Sequence, residues 1–530
     1  MTGLVQDIRY AVRTLKRAPL FAAMSILTLA LGIAATTIVY SLVDGILLRP
    51  LPIEHADRVV LARELINGNE DGVSWPNFKD WRDRATSFEQ LAAWRGLTTN
   101  LRGIGMPRRL QARQVTWNLL ATLGVKPMLG RDFVPADDQP GVPRVAIVSH
   151  GFWQRELGGD RAGIGRVITL DDTPVTVIGV LPGSFTVARQ EDIFFPFGNF
   201  VTPAMPMYLG RGNHFGLAAI GRLKPTATLA SANAEMVSIA RQLEQEHPES
   251  NSGNSAIVRP LFDVLVSSAR PMLLVLLGAV AAMLLIACVN LANLLLARAA
   301  NRTQEMAVRR SLGAAGWRIA RQMLIESLLL SIAGGAAGIV LAVAGFQAFM
   351  ALVPPDQPRV HMVTIDLRVL VFSAIVSIAT GLLFGLVPAI QAATGRAMPL
   401  LRSSRITGAA AASAGTRRVL LFAEVALALV LVAGAGLMLR TMNNLLAVDT
   451  GFSSDQVVSA QFNLSQRYDE VKRLAFLDAA LQQIRAVPGV ANAAFTFSLP
   501  VAGSNWNSIF ILEGRPVPSR RELPTAAWTP

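Results

Sequence analysis

The sequence predicts an α-helical membrane protein of about five spans, with a large mixed α/β domain outside the membrane and the start of a second one. The first observation is a set of five apolar runs, each long enough to cross a bilayer as a helix of about 20 residues. The second is the contrast between the intervening stretches. Some are short and rich in arginine, which is typical of the cytoplasmic side. Residues 49–269 instead carry charges of both signs with Trp, Pro and Gly.

Composition supports the membrane class. Hydrophobic residues make up 52% of the 530 residues and charged residues only 16%, against roughly 25% charged residues in soluble proteins. The net charge of +13 lies largely in loops beside the apolar runs. It therefore indicates topology and attraction to anionic lipids rather than nucleic-acid binding. The single cysteine, Cys288, lies inside an apolar run, so no intrachain disulfide can form.

The first segment, residues 1–19, is predicted to be a cytoplasmic amphipathic helix. Leu4, Ile8, Val12 and Leu15 share one helical face, and the cations Arg9, Arg13, Lys16 and Arg17 share another. Such a helix suits the lipid headgroup layer. The apolar run that follows is longer than the core of a signal peptide and has no clean small-x-small cleavage site. We therefore expect an uncleaved anchor with its N-terminus in the cytoplasm.

The remaining segments follow from alternating loop charge. The predicted order begins with a first span at 20–48, a large outer domain at 49–269 and a second span at 270–297. It continues with a cytoplasmic loop at 298–322, a third span at 323–352, an outer loop at 353–366 and a fourth span at 367–393. It closes with a basic cytoplasmic linker at 394–418, a fifth span at 419–440 and a partial second outer domain at 441–530.

Local patterns add detail to the two outer domains. In the first we predict a helix from Trp75, a buried strand from Val145, a short helix over 151–157, a hairpin around Asp171-Asp172 and a helix over 230–246. In the second we predict a strand over 455–462 and a helix over 473–486. Asp57-Arg-Val-Val and Asp455-Gln-Val-Val each follow a basic segment and a span, which indicates an internal duplication with an incomplete second copy.

No motif for catalysis, metal binding or a cofactor is found. The dipeptide Gly-Lys is absent, so the chain has no P-loop, and it also lacks His-Glu-x-x-His, Gly-x-Ser-x-Gly and Cys-x-x-Cys. Ser149 and His150 are adjacent, but neighbouring side chains point apart. Asp171-Asp172 fits a turn better than a cation site. We therefore predict no catalytic, cofactor-binding or metal-binding residues, and not an enzyme.

Polar residues within the apolar runs are few. Glu424 is interpreted as the exceptional ionisable residue and is a functional candidate, but its position near the membrane interface favours snorkelling or pairing with Arg417 and Arg418. Gly334-x-x-x-Gly338 and Gly381-x-x-x-Gly385 allow helices to approach closely.

The loop after the second span is predicted to form a short helix. Asn301 or Thr303 would cap it, and Gly313 would end it after Leu312. Glu305 and Arg309 stand one turn apart and can pair. The residues alone leave two interpretations open: a helix that docks into a groove of a soluble partner, and a helix that lies in the membrane interface.

Several stretches resemble MacB/FtsX-type ABC transporter permeases. The loop region 293–314 and Arg321-Gln-Met-Leu-Ile-Glu-Ser resemble the family's coupling-helix region. Val145-Ala-Ile-Val-Ser-His-Gly-Phe-Trp, Gly158-Gly-Asp and 177–185 resemble its periplasmic core domain. Asp7-Ile-Arg-Tyr-Ala-Val-Arg-Thr-Leu and Leu48-Arg-Pro-Leu-Pro are similar to the start of duplicated orphan permeases of the acidobacterial type.

The resemblance implies a bacterial inner-membrane permease subunit that works by mechanotransmission with a separate ABC ATPase, which binds the ATP. It implies export or extrusion of an amphiphile, antibiotic, lipid or lipoprotein, contact with membrane lipids, no cofactor of its own and no nucleic acid. A periplasmic partner and a homodimer stay open. The coupling helix would use Arg302, Glu305, Val308, Arg309, Arg310, Leu312 and Gly313.

The chain departs from full duplicated members, which have about eight spans, because it has five and lacks the second coupling loop. An alternative function is a non-transport transmembrane regulator that signals to a periplasmic enzyme or sensor.

Overall fold

The computed structural model describes residues 2–185, 191–202, 205, 208–301, 316–353, 359–393, 409–449, 456–460, 462, 464, 470–496, 507–509, 514 and 525–527. The chain forms two compact units. The membrane unit comprises residues 1–49 and 266–448, and the outer unit comprises 50–265 and 449–530.

The described helices are α1 (Thr2–Lys16), α2 (Pro19–Val43), α3 (Trp75–Arg84), α4 (Leu119–Leu123), α5 (His150–Leu157), α6 (Leu229–Glu246), α7 (Pro248–Asn251), α8 (Leu261–Val266), α9 (Ala269–Asn301), α10 (Gly316–Met350), α11 (Leu367–Ala393), α12 (Ala409–Leu446) and α13 (Glu470–Arg485). A π-helical turn, Asp44–Leu48, continues α2.

The described strands are β1 (Val59–Ile66), β2 (Asn69–Asp71), β3 (Phe88–Arg102), β4 (Arg108–Val115), β5 (Leu129–Gly130), β6 (Val145–Val148), β7 (Val167–Leu170), β8 (Thr173–Val180), β9 (Ile193–Pro196), β10 (Ala218–Leu223), β11 (Asn254–Pro260), β12 (Asn507–Ile509) and β13 (Thr525–Ala527).

Five helices of the membrane unit are long and apolar enough to span a bilayer, as predicted. Their spanning parts are Pro19–Leu48, Ala269–Leu295, Gly316–Met350, Leu367–Leu386 and Arg418–Leu446. Pro19 occupies the first turn of α2, where its missing N–H leaves no helical hydrogen bond unmade. It also separates α2 from α1.

The helices α2, α10 and α11 pack closely at small residues. A Cβ added to Gly334 would lie 2.7 Å from the Leu29 Cβ of α2, and one added to Gly338 would lie 2.9 Å from the Ala30 carbonyl oxygen. Both distances are shorter than van der Waals contact, so the backbones can approach this closely only because these residues are glycine. This confirms close approach at the first predicted glycine pair.

The second glycine pair gives the same result between α11 and α10. A Cβ at Gly381 would lie 2.2 Å from the Ser331 hydroxyl, and one at Gly385 would lie 2.0 Å from the Ser327 hydroxyl. The fifth span differs, because α12 lies beside α9 and none of its apolar window is buried.

The outer unit is built on a mixed sheet of eleven strands. Its order is β11-β1-β10-β3-β4-β9-β6-β8-β5, with β2 beside β1 and β7 joining β3 to β8. The pairs β4–β9 and β6–β8 are parallel and the others are antiparallel. One large apolar cluster contains Phe78, Trp81, Phe152 and Met236 from α3, α5 and α6. A second contains Leu119, Leu120 and Leu123 of α4.

The predicted hairpin around Asp171-Asp172 and the helices predicted over 151–157 and 230–246 are confirmed. Asp171 and Asp172 have φ values of 45° and 63° and connect β7 to β8 in the two-residue turn that suits antiparallel strands. Ser149 begins α5 by accepting the Phe152 N–H (3.1 Å). Thr228 begins α6 by accepting the Ser231 N–H (3.1 Å).

The predicted strand over 455–462 is wrong for the part of it that the structure describes, 456–460 and 462. Its described residues 456–460 form a turn residue followed by irregular backbone, and Val458 is 94% exposed. A strand needs a neighbour for its backbone N–H and C=O groups, and no described strand pairs with this segment. The helix α13 is present, but the second outer domain as a whole is not established.

Candidate functional site: charged clusters at the two ends of α2

The seven predicted coupling residues lie outside the described residues, since the structure describes neither 302 nor any residue up to 315. Their assignment therefore stays a prediction. What the structure does describe is the pair of helices that flank this loop. The helix α9 ends at Asn301 and α10 begins at Gly316.

The first charged cluster lies where α2 begins, and we call it the α1 cluster: Asp7, Thr14, Phe21, Arg298, Arg321 and Glu326. Asp7 of α1 is buried and accepts a hydrogen bond from Arg321 Nε of α10 (2.8 Å). The two residues are 314 positions apart in sequence. An ion pair therefore joins the N-terminal helix to the start of α10.

Arg298 is the centre of the α1 cluster. Its Nη1 lies 3.0 Å from Glu326 Oε1 of α10, and its Nη2 donates to the Thr14 carbonyl oxygen of α1 (2.9 Å). The guanidinium carbon lies 4.5 Å from the ring centroid of Phe21 on α2, within range of a cation–π contact. One arginine in the last turn of α9 therefore contacts three other helices.

The structure divides the surface of α1 differently from the sequence prediction. Its buried face consists of Asp7, Ala11 and Thr14, which are polar or small. The apolar residues Ile8 and Val12 are exposed. The predicted helix is present, with polar groups and Leu15 packed against the bundle, while Ile8 and Val12 are available to lipid.

The second charged cluster lies where α2 ends, and we call it the Arg359 cluster: Asp44, Arg49, Arg359 and Asp366. The Arg359 side chain is fully buried. Its Nη1 donates to the Ile46 carbonyl oxygen (2.9 Å) and its Nη2 to the Arg49 carbonyl oxygen (2.6 Å). Carbonyl groups at the end of a helix lack helical partners, so Arg359 supplies the donors that this buried helix end requires.

Arg49 connects this helix end to α11. Its Nε donates to Asp44 Oδ2 and its Nη2 to Asp366 Oδ2, both at 2.7 Å. The other oxygen of Asp366 accepts the N–H groups of Arg368 (3.0 Å) and Val369 (3.3 Å), so Asp366 caps α11. The end of α2 and the start of α11 therefore share one polar cluster.

The electrostatics of the Arg359 cluster follow from these contacts. The hydrogen bond to Asp44 raises the pKa of Arg49, although burial acts against it. Burial raises the pKa of Asp366, but the Val369 N–H and the charge of Arg49 outweigh it, so that pKa is lowered. Burial and then the charge of Arg49 lower the pKa of Arg359.

Hydroxyl groups join α2, α10 and α11 between the two clusters. The hydroxyls of Thr37 and Ser373 lie 2.8 Å apart, and the Ser377 hydroxyl donates to the Ser331 carbonyl oxygen (2.5 Å). These bonds cross between helices in the spanning region, where few other polar groups compete.

Two buried acids of the predicted spans were missed by the sequence interpretation, which named only Glu424. Asp44 and Glu326 are both buried and both pair with arginine. Both residues lie near the ends of apolar runs. There the sequence pattern does not distinguish a buried carboxylate of a helix from an exposed one in the adjoining loop. Glu424 lies on the less exposed side of α12 and makes no ion pair with Arg418, whereas the Arg417 side chain is not described.

The two candidate sites that the sequence disfavoured serve structural roles. The Ser149 hydroxyl caps α5, while the His150 ring packs 5.5 Å from Trp153. Asp171 accepts hydrogen bonds from Thr99 and Asn100. Within the described ranges, no group of three His, Cys, Asp or Glu side chains could hold a metal ion.

A buried polar cluster in the outer unit was also missed. Glu64 accepts a hydrogen bond from Asn77 Nδ2 (2.5 Å) and contacts His214 Nε2. Arg211 donates to Asn77 Oδ1 (2.6 Å) and contacts Asp80. Burial lowers the pKa of His214, but its hydrogen bond to Glu64 outweighs that effect and raises it. These residues come from β1, α3 and the segment before β10, so no local pattern unites them.

The architecture defines a multi-pass membrane protein with a mixed α/β domain inserted between its first and second spans. Comparison with protein families identifies both parts. Residues 22–239 match the MacB-like periplasmic core domain, and residues 277–396 match the FtsX-like permease C-terminal domain. The chain thus combines a part similar to the MacB-like periplasmic core domain with a part similar to the FtsX-like permease C-terminal domain.

Individual relatives show modest identity. The chain is 29% identical over 279 residues to the macrolide export ATP-binding/permease protein MacB of Chlorobium luteolum, covering 52% of this chain and 40% of that protein. It is 25% identical over 347 residues to MacB of Chromobacterium violaceum, covering 64% and 49%. It is 27% identical over 268 residues to the pyoverdine export ATP-binding/permease protein PvdT of Pseudomonas syringae pv. tomato, covering 50% and 38%. The chain thus spans less than half the length of these relatives.

Solved structures of isolated domains match this chain with low TM-scores and low sequence identity. The periplasmic region of MacB from Actinobacillus actinomycetemcomitans matches with a TM-score of 0.31 and 12% identity, covering 43% of this chain and 95% of that one. A domain of a putative permease from Porphyromonas gingivalis matches with a TM-score of 0.31 and 17% identity, covering 39% and 91%.

Proposed function

We propose that this chain is a permease subunit of an ABC-type transporter that works by mechanotransmission. ATP hydrolysis by a separate ATPase moves the helices, and the helices move the outer domain, which drives export of an amphiphile, antibiotic, lipid or lipoprotein. The export proteins among its relatives, MacB and PvdT, support this direction of transport. The proposal includes an inner-membrane location, a cytoplasmic N-terminus and membership of the duplicated orphan type.

The observation that carries this proposal is the unbroken helix α9. It contains 33 residues, or about 50 Å at 1.5 Å per residue, whereas the hydrocarbon core of a bilayer is about 30 Å thick. In sequence, α9 follows α8 after only two residues and leads directly into the predicted coupling loop. One continuous helix therefore runs from shortly after the large domain in sequence to that loop, and in this proposal it transmits an axial shift of the loop.

The ATPase would dock on the loop through residues of complementary types. Arg302, Arg309 and Arg310 offer cations around Glu305, while Val308 and Leu312 offer apolar contacts before Gly313. A short helix of this composition fits a groove with an acidic rim and an apolar floor. ATP would be bound by the partner, since this sequence has no P-loop.

The test is a pull-down of detergent-solubilised protein from its native membranes. Wild type is compared with Glu305→Arg and with a control, Glu249→Arg, whose carboxylate is exposed in the outer unit. We expect an ATP-binding subunit to be retained by wild type and by the control, and to be lost from Glu305→Arg.

Retention of the ATPase by Glu305→Arg at the wild-type level would contradict docking through this loop. Co-purification of a periplasmic hydrolase or sensor without any ATPase would overturn the transport proposal in favour of a transmembrane regulator.

A further inference from the structure

We propose that the α1 cluster positions the coupling loop: Asp7, Arg298, Arg321 and Glu326 hold the two ends of the loop at a set spacing and attach both ends to α1. This inference rests on the proposed function in taking the loop as the ATPase docking site. The geometry of the cluster is independent of that function.

The contacts form a closed triangle of helices. Asp7 with Arg321 joins α1 to α10, Arg298 with Glu326 joins α10 to α9, and Arg298 with the Thr14 carbonyl joins α9 to α1. Two linked helices can still rotate about their contact. Three helices linked in pairs resist that rotation, so the ends of the loop keep their separation.

The position of these contacts along the helices matches this role. Arg298 lies three residues before the end of α9, and Arg321 lies five residues after the start of α10. Each contact therefore lies within about two turns of the last described residue on its side of the loop.

Burial makes the charges effective. The exposed fractions of the side chains are 12% for Asp7, 8% for Glu326 and 16% for Arg298. Salt screens such partly buried charges poorly, and a buried carboxylate that loses its cation is strongly destabilised. These pairs therefore contribute to the position of α1 together with the apolar packing of Leu15, whereas Ile8 and Val12 are exposed.

The same triangle supplies a second route for motion. Only two residues separate the end of α1 at Lys16 from the start of α2 at Pro19. A displacement of the loop would move α1 through Asp7 and Thr14, and α1 would then move α2. The loop thus acts on α2 as well as on its own flanking helices.

The experiment is a charge exchange. The variants are Asp7→Arg, Arg321→Asp and the double exchange. The controls are Gln6→Arg, adjacent on α1, and Arg318→Asp, one turn earlier on α10, both exposed. Two readouts are taken: retention of the ATPase in the pull-down, and the width of the distance distribution between spin labels at Leu294 and Trp317 in a Cys288→Ser background. Leu294 and Trp317 are exposed on α9 and α10.

We expect each single exchange to reduce ATPase retention about tenfold, equivalent to about 1.4 kcal/mol, and to broaden the distance distribution. In the double exchange, at least half of the wild-type ATPase retention should return, and the distance distribution should be narrow again. The controls should match wild type in both readouts. Recovery by exchange separates positioning from a general loss of folding. If the single exchanges do not yield folded protein, Asp7→Asn and Arg321→Gln replace them.

Unchanged label distances in the single variants, or no recovery in the double exchange, would overturn the positioning role. If wild type itself retains no ATPase, the proposed function fails, and the label distances still decide whether the triangle sets the spacing of the loop ends.

Discussion

The Arg359 cluster provides the sharpest test of how the membrane unit is held together, through the substitution Arg359→Met. Methionine keeps the unbranched apolar stem and removes both donors. The carbonyl groups of Ile46 and Arg49 then lose hydrogen bonds of 2.9 Å and 2.6 Å from a charged group. Hydrogen bonds to charged groups contribute about 1.5–3 kcal/mol each.

The net effect is smaller than the sum of the two bonds. Burial of the guanidinium is itself unfavourable, which is why it lowers the pKa of Arg359, and methionine removes that cost. We therefore expect a net destabilisation of about 3 kcal/mol. For a unit of 150–250 residues this corresponds to a decrease in Tm of about 6–12 °C.

The protein contains its own reporter for this measurement. Cys288, the only cysteine of the sequence, is 1% exposed on α9. A thiol-reactive fluorophore added during heating therefore reports opening of the membrane unit alone. Arg359→Lys should lose an intermediate amount, because a single ammonium group does not reproduce the guanidinium fork.

The matched control is Arg368→Met, which removes an exposed arginine near the start of α11 and should leave the Tm unchanged. If Arg359→Met melts within about 2 °C of wild type, the two hydrogen bonds of Arg359 do not stabilise the end of α2.

Two further predictions concern packing and pH. In Gly335→Leu the new Cβ would lie 2.2 Å from the Ser377 hydroxyl, so α10 and α11 must separate at a cost of about 1–3 kcal/mol. The thiol-melting assay should show the loss, while Gly434→Leu, with open space around it, should melt like wild type; equal melting of both variants would contradict the packing. In the outer unit, the contact with Glu64 raises the pKa of His214 against the effect of burial, so protonation stabilises the fold. This stabilisation is complete below the unfolded pKa of about 6.5 and is lost as pH rises through the raised pKa. The free energy of unfolding is measured by urea unfolding followed by tryptophan fluorescence. In His214→Gln it should no longer fall as pH rises through this range. If the variant keeps the pH dependence of wild type, another group titrates there.

Sequence patterns were sufficient where one segment satisfies its own physical requirements. An apolar run of spanning length needs no partner to form a helix, because all its backbone hydrogen bonds are internal. The five spans follow from this rule. The Asp171-Asp172 turn and the short helix predicted over 151–157 are also local, since each uses atoms within a few residues.

The prediction of a strand over 455–462 is wrong because a strand, unlike a spanning helix, depends on a second segment. Alternating apolar residues describe only one side of a strand pair, and a strand exists only when a second segment accepts and donates its backbone hydrogen bonds. The described residues contain no such segment beside Val458. A strand pattern, which depends on a distant partner, therefore predicts structure less well than a spanning-helix pattern, which needs no partner.

The sequence by itself thus determined the fold class, the number of spans and the large mixed α/β domain, because length, hydropathy and local turn chemistry act over short stretches. Only the tertiary structure decided which charges meet. Asp7 meets Arg321 across 314 residues, and Arg49 meets Asp366 across 317. Such pairs have no periodic signal in either segment. They form because folding brings both members to the same helix ends and largely buries one of them, Asp7 or Arg49, so that water screens the attraction only in part.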